Sequence, residues 1–407
     1  MLGFDYELRR QGFAGNSCQI RLELSAGIDP ERLRQRVAEL ARQHPILCSR
    51  PGRGLNLKPC WKSTRAVPRV RVHEPAEDLP QRLFNEPLDV RHGELLRFDL
   101  CGRTLVFTWT HALMDAKSAE YFLALVGDDK VPVPEGGEDW YARRATAAGG
   151  LRARGRQAWR ELERLDQFQK ALPVSLATRR QPATRTMKYQ VVTLSREDSA
   201  RVRTNAGRLC GFLGDSNFHL AATLFELHRL HERAACPSAS YVVPIPIGLR
   251  PKGTRAPLFS NQVTTMLHQF FPAELATIEL AAATVKARSA EYLREEHINP
   301  GIVLAQLFRS LPLPLYMRMI KHQMRGEICS LFFGDTSAVD PALQNFLGAG
   351  IGEFFHVPAI TVPPGMGVVF YRFRDQLQFT FVHADGALTD GEAAEFAAQL
   401  RARLLDP

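Results

Sequence analysis

Two residues with the right chemistry, His111 and Asp115, stand four apart in the run Thr110-His111-Ala112-Leu113-Met114-Asp115. An apolar, strand-like stretch, Thr104 to Trp109, leads into the run, and a helical pattern, Ser118 to Leu125, follows it. An imidazole held where a strand hands over to a helix can serve as a general base near neutral pH, and an aspartate four residues on can hold the turn in shape. The spacing alone occurs often by chance, so its context must carry the argument. Three plainer readings stand beside it. His111 could be an inert, hydrogen-bonded strand-end histidine. Asp115 could simply cap the following helix. The two could also ligate a metal, but no third ligand is visible in the sequence, and no metal is expected.

The elements that must position this pair are legible from periodicity. Asn16 to Ser25 alternates apolar and polar residues as a half-buried strand does, and Asp29-Pro30 opens an amphipathic helix to about Gln43 with Leu33, Val37, Leu40 and Ala41 on one face. His44-Pro45 stops that helix. Strands are expected at Arg69 to His73, Leu95 to Leu100 and Leu105 to Thr110, with a short helix at Leu79 to Phe84. From Gly127 to about Thr186, prolines, a Gly-Gly pair and an arginine-rich helix (Leu151 to Leu172) mark a crossover. The second half then offers strands at Tyr189 to Leu194, Tyr241 to Ile247, Gln262 to His268, Gly367 to Phe373 and Leu377 to His383. Its helices are expected at Phe218 to Arg233, Ala276 to Glu296 and Glu392 to Leu405. The fold class is α/β, with two domains at residues 1–185 and 186–407.

Composition sets the outer bounds. At 407 residues and 45% hydrophobic, the chain exceeds the roughly 250 to 300 residues at which single cores stop growing. A net charge of +9 should attract anions: a nucleotide-bearing cosubstrate, an acidic carrier protein, an anionic membrane face or nucleic acid. Nucleic acid is set aside, because the basic region has no interleaved aromatics and no recognisable binding fold. The arginines between Arg143 and Arg185 read either as a solvated helix face or as a dock for coenzyme A phosphates, a carrier protein or lipid headgroups. Seven scattered cysteines without a Cys-x-x-Cys pair point to free thiols and a reducing, cytoplasmic setting. No apolar run approaches the 18 or so residues of a membrane span, although Leu307 to Met319 is apolar enough to line an acyl channel, touch a membrane or pack in the core.

Six stretches, the His111 run among them, make up a longer pattern. They are Leu40-Ala41-Arg42-Gln43-His44-Pro45-Ile46-Leu47; Asn85-Glu86-Pro87-Leu88-Asp89 with Leu95-Leu96-Arg97; the His111 run; Ser216 to Ala222; Val243-Pro244-Ile245-Pro246-Ile247-Gly248-Leu249-Arg250; and Asn261-Gln262-Val263. In this order the chain resembles the acyltransferases that depend on coenzyme A or carrier proteins, the superfamily of chloramphenicol acetyltransferase, nonribosomal peptide condensation domains, bacterial wax ester synthases and polyketide-associated acyltransferases. The usual motif there is His-His-x-x-x-Asp-Gly. Here Thr110 replaces the first histidine and Ala116 the glycine.

The resemblance implies two chloramphenicol-acetyltransferase-like α/β sandwich domains in a V, with an active-site tunnel at their junction and His111 midway along it. It implies acyl transfer from a thioester, either acyl-coenzyme A or a phosphopantetheinyl carrier protein, to an alcohol or amine, with His111 as base and no tightly bound cofactor. Asp115 would face away from substrate and pair with Arg250. Thr110 and Asn261 would lie beside the site, and Ser330 or the Gly334-Asp335-Thr336-Ser337 stretch could supply a hydroxyl to the oxyanion. The departures at 110 and 116 also admit a condensation-like module without catalysis, serving in binding. A peripheral membrane scaffold is a third reading, and it predicts salt-sensitive vesicle binding.

Overall fold

The structure, a computed structural model, describes residues 1–55, 57–134, 136–212, 214–294 and 298–407. The first half runs through α1 (Leu2–Arg10), β1 (Ser17–Leu24), α2 (Pro30–Gln43), a hairpin of β2 (Ser49–Arg53) and β3 (Pro59–Ser63), β4 (Arg69–Val72), α3 (Leu79–Phe84), β5 (Leu96–Cys101), β6 (Thr104–Thr110) and α4 (Ala116–Gly127). Helices α5 (Trp140–Ala147), α6 (Leu151–Asp166) and α7 (Leu176–Arg180) bridge to the second half. There follow β7 (Met187–Thr193), α8 (Arg196–Cys210), α9 (Asp215–Arg233), β8 (Tyr241–Gly248), β9 (Val263–Phe270), α10 (Ile278–Arg294), α11 (Ile298–Phe308), α12 (Leu313–Gln323), β10 (Phe332–Ala338), β11 (Asn345–Phe346), β12 (Ala349–Val357), β13 (Met366–Phe373), β14 (Gln376–Ala384) and α13 (Asp390–Leu405). Residues 295 and 296, which close the expected helix from Ala276, lie outside the described residues.

Local signals explain the helix ends. Asp29 caps α2 by accepting from Glu31 N at 2.9 Å, Pro30 occupies the first helical position, and Leu33, Val37, Leu40 and Ala41 are the face that is buried. Thr389 and Glu392 form a reciprocal capping box at the start of α13.

Two sheets carry the architecture. The first has the order β11-β12-β1-β6-β5-β4, and the second β10-β13-β14-β7, with β8 and β9 forming a separate antiparallel ribbon. The expected boundary between 185 and 186 is crossed: β11 and β12, from residues 345–357, pair into the first sheet, with Gln19 opposite Val357 and Ile20 opposite His356. The physical reason is that β1 would otherwise be left with one row of unpaired backbone groups, a buried edge that no local pattern can satisfy.

β13 is buried on both faces and joins the two cores. Val368 and Phe370 pack with α8, α9 and α13, while Val369, Tyr371 and Phe373 pack against the first half with Phe354 of β12. Its continuous apolar run follows from that double burial. Among the described residues, no helix is long and apolar enough to cross a membrane.

Candidate active site

The turn after β6 is held from every side. Thr110 N donates to Leu95 O (2.9 Å), His111 N to Asn16 O (2.9 Å) and Leu113 N to Thr110 O (3.0 Å). Trp109, fully buried and stacked on Phe107 at 5.2 Å, donates its indole N–H to Met114 O at 3.1 Å. Asn261 closes the turn from the second half, donating to His111 O at 2.9 Å. The backbone carrying the imidazole is therefore pinned by five hydrogen bonds from four segments of chain.

Asp115 ties the halves together. One carboxylate oxygen accepts Ser118 N at 3.0 Å and so caps α4; the other accepts Arg250 Nη1 at 2.7 Å and Gln262 N at 2.9 Å. Arg250 also donates to Ser118 Oγ (2.7 Å) and Pro257 O (2.9 Å). Both side chains are largely buried. The aspartate has thus committed both oxygens to protein donors, and a structural staple is what those bonds can make.

A cavity of about 2130 Å³ opens at the junction, lined from both halves. The first half contributes Cys18, Trp61, His111 and Ala112, and the second Arg250, Asn261, Tyr316, Asp335 and Val369. Phe308, Leu311, Leu313, Tyr316 and Met319 place the apolar stretch read at Leu307 to Met319 along the same wall, while Leu307 and Leu315 stay exposed. Arg53, Arg91, Lys252, Arg255 and Arg309 give the lining a positive cast. Arg53 also donates to Ser310 O at 3.1 Å, bracing the β2–β3 hairpin against the loop before α12.

His111 reaches this cavity with one ring nitrogen available. Its Nδ1 is sealed from solvent without a hydrogen-bond partner among the described residues, which leaves Nε2 for a substrate. Burial holds the imidazole below its ordinary value of 6.5, with its own backbone carbonyl, the Asp115 charge and Asn261 acting the other way. At neutral pH the ring is a free base, the form a proton acceptor requires.

The remaining residues singled out in the sequence fall elsewhere. Thr110 is fully buried and does not line the cavity, and its hydroxyl has no partner among the described residues. Ser330 is also away from the cavity: its hydroxyl accepts Val242 N at 2.9 Å while Ser330 N donates to Val242 O at 2.7 Å. It laces β8 to the segment before β10, so the oxyanion role considered for it is withdrawn; Gly334 to Ser337 do line the cavity. On α6, Arg164 is engaged with Glu161 at 2.6 Å, and Arg152, Arg156 and Arg160 are exposed to solvent.

Three site features escaped sequence reasoning. His356, on β12, lines the cavity beside Trp109. Lys117, also on the lining, is fixed by Glu120 at 2.9 Å and Ala338 O at 2.5 Å. His219 holds Asp335 at 2.8 Å through Nδ1 while stacking on Phe370. The cross-half pairing of β12 brings His356 in and the packing of β10 brings Asp335 to His219, and neither pairing leaves a local signature, whereas Lys117 stands two residues past Asp115 and His219 within the Ser216 to Ala222 stretch.

No family model matches the chain, and no curated protein matches it. Solved structures match over its full length. The first condensation domain of the calcium-dependent antibiotic synthetase, in complex with a substrate analogue, superposes with a TM-score of 0.72 at 15% identity, covering 100% of this chain and 95% of that one. Trichothecene 15-O-acetyltransferase from Fusarium sporotrichioides gives 0.72 at 12% identity, with 99% and 92% covered. The epimerization domain from the third module of tyrocidine synthetase B gives 0.61 at 12% identity, with 99% and 94% covered. The chain thus has the two-lobed chloramphenicol-acetyltransferase-like fold of condensation domains and related acyltransferases. Fold leaves the reaction open, and the site must argue it.

Proposed function

We propose that this chain is an acyltransferase that moves an acyl group from a thioester donor, acyl-coenzyme A or a carrier protein, to a hydroxyl or amine. The observation that carries the reading is a neutral histidine, on a rigid turn, presented to a large cavity lined from both halves. His111 Nε2 would take the proton of the acceptor O–H or N–H as that atom attacks the thioester carbonyl. The carbon–sulfur bond then breaks as the tetrahedral intermediate collapses, and the proton returns to the leaving thiolate. No covalent enzyme intermediate is required. The arginine and lysine side chains on the lining suit a donor bearing phosphates.

Exposed Leu307 and Leu315 beside Arg309 and Arg318 are the face through which we propose peripheral contact with an anionic membrane, to be read as salt-sensitive vesicle binding. The primary test follows free thiol release from acyl-coenzyme A, and from an acylated carrier protein, with a panel of alcohols and amines. Release that depends on acceptor and on His111 supports acyl transfer. Absence of release with every donor and acceptor sinks it and favours a binding module.

A further inference from the structure

His356 sits in the wall of the same cavity, one strand beyond β1. Its register, with Ile20 opposite both His356 and Phe107, puts it deeper in the first sheet than His111, past Trp109. The ring is packed 5.9 Å from Trp109 and 6.2 Å from Tyr371, centroid to centroid, and the residue is only 3% exposed. Neither ring nitrogen has a hydrogen-bond partner among the described residues.

The polar groups around it are already committed. Trp109 Nε1 donates to Met114 O, the Tyr371 hydroxyl bonds Thr380 Oγ1 at 3.1 Å, and Lys117 is held by Glu120 and Ala338. Burial pushes the imidazole down to about 3, and the nearby positive charges of Lys117 and a protonated His111 push the same way. It is therefore neutral at any working pH, offering one N–H donor and one lone pair. A phenylalanine would fill this niche between two aromatic rings with no polar atom to desolvate, whereas a buried imidazole with both nitrogens unpaired is costly to keep. The residue lines a cavity that substrate must enter, and its unpaired nitrogens lie just beneath that wall, so the group that satisfies them can come with the substrate.

We propose that His356 is a selectivity residue, hydrogen-bonding an oxygen function, hydroxyl or carbonyl, that the substrate carries on the portion lodged beside β12, away from the reacting carbonyl. The proposal rests on the acyl-transfer reading for its substrate class and deepens it: the chamber selects oxygenated chains over plain hydrocarbon ones. The oxygen can sit on the donor's acyl chain or on the acceptor, and the two sources are separable by experiment.

The test is equilibrium binding by calorimetry, which needs no turnover. Octanoyl-pantetheine is compared with analogues bearing a hydroxyl on each carbon in turn from the third to the seventh, and octan-1-ol with the corresponding diols. In the natural protein one position, in one of the two series, should bind roughly ten- to a hundredfold tighter than the plain chain. His356→Phe should erase that ratio, and His356→Gln, which keeps a donor and an acceptor, should restore most of it. If no position in either series discriminates, or if discrimination survives in a folded His356→Phe variant, the assignment is overturned. Failure of acyl transfer would show separately, as absent thiol release from a protein whose binding ratio still depends on residue 356.

Discussion

Replacing Asp115 with alanine removes three hydrogen bonds at once, and their partners fix the size of the effect. Ser118 N loses its cap, worth about 1 kcal/mol. The Arg250 guanidinium, 11% exposed and held at 2.7 Å, becomes a buried charge without its counter-ion, which costs roughly 3–5 kcal/mol. Gln262 N loses an acceptor as well. Because these losses share one site they overlap, and the expected total is about 4–5 kcal/mol, a large part of the roughly 5–15 kcal/mol that holds a typical domain together. Urea unfolding of the natural protein, Asp115→Ala, Arg250→Met and the double variant closes a thermodynamic cycle. The double variant should cost clearly less than the two single losses added, because methionine leaves no charge stranded. A loss below about 1 kcal/mol for Asp115→Ala, or a cycle with no coupling, would show that the staple does not join the halves and would refute the reasoning.

Other outcomes follow from the same geometry. His111→Ala should fold with near-natural stability and lose roughly 10²- to 10⁴-fold in turnover. In the natural protein kcat/KM should fall on the acid side through an inflection below 6.5, since burial lowers the His111 value and the base must be unprotonated; an inflection above 6.5 would contradict the assignment. Ser330→Ala should cost about 1–3 kcal/mol in urea, by stranding Val242 N, while kcat stays within about twofold; a tenfold fall would return Ser330 to the chemistry. Stability itself should drop on acidification. His231 and His356 are lowered by burial to about 4 and about 3 from an ordinary 6.5, so the unfolded chain binds protons that the folded one refuses. Their stabilisation is complete above 6.5 and shrinks as pH falls toward the folded values. At pH 5 each has given up about 2 kcal/mol, which His356→Phe should recover for its share when urea midpoints at pH 5 and 7.5 are compared.

Much of the first half was legible because its signals are local. Asp29-Pro30 marks a helix start by cap and ring geometry alone, and the alternation of Asn16 to Ser25 marks a strand whatever its neighbours. Helices α1 and α11 carry no capping signal in the sequence; α8 does carry one, Ser195 accepting from Asp198 N at 3.0 Å with Gly211 at the far end, and α12 has a proline in its first turn, yet neither stands out by apolar periodicity. The deeper miss was β12: Ala349 to Val357 holds two glycines and weak alternation, and its partner β1 lies more than 300 residues earlier. A pairing that distant is set by tertiary packing, so His356 could not be placed beside His111 from the sequence. Ser330 failed in the opposite sense. A hydroxyl near the expected tunnel is chemically suitable, but only the folded structure shows that Ser330 is tied to Val242 between β8 and the segment before β10, away from the cavity.

The two departures from the motif of the acyltransferases that the sequence resembles can be weighed by where their side chains sit. Ala116 is the first residue of α4, so its backbone is right-handed and has no need of glycine. Thr110 lies in β6, where side chains alternate between faces, and so it points with Thr108 away from the Trp109 side; Thr108 there accepts Gln19 Nε2 at 3.0 Å. A histidine at 110 would enter this fully buried layer, not the cavity. Thr110→His, which creates the histidine pair seen in the acyltransferases that the sequence resembles, should therefore overpack the sheet by about 1–3 kcal/mol and leave turnover no higher than in the natural protein. A tenfold gain in thiol release would mean that the first histidine acts on the chemistry after all, and that threonine at this position marks a weakened catalyst. A loss of stability without a gain in rate would place the work of the motif on His111 and its staple, as the proposed reaction requires.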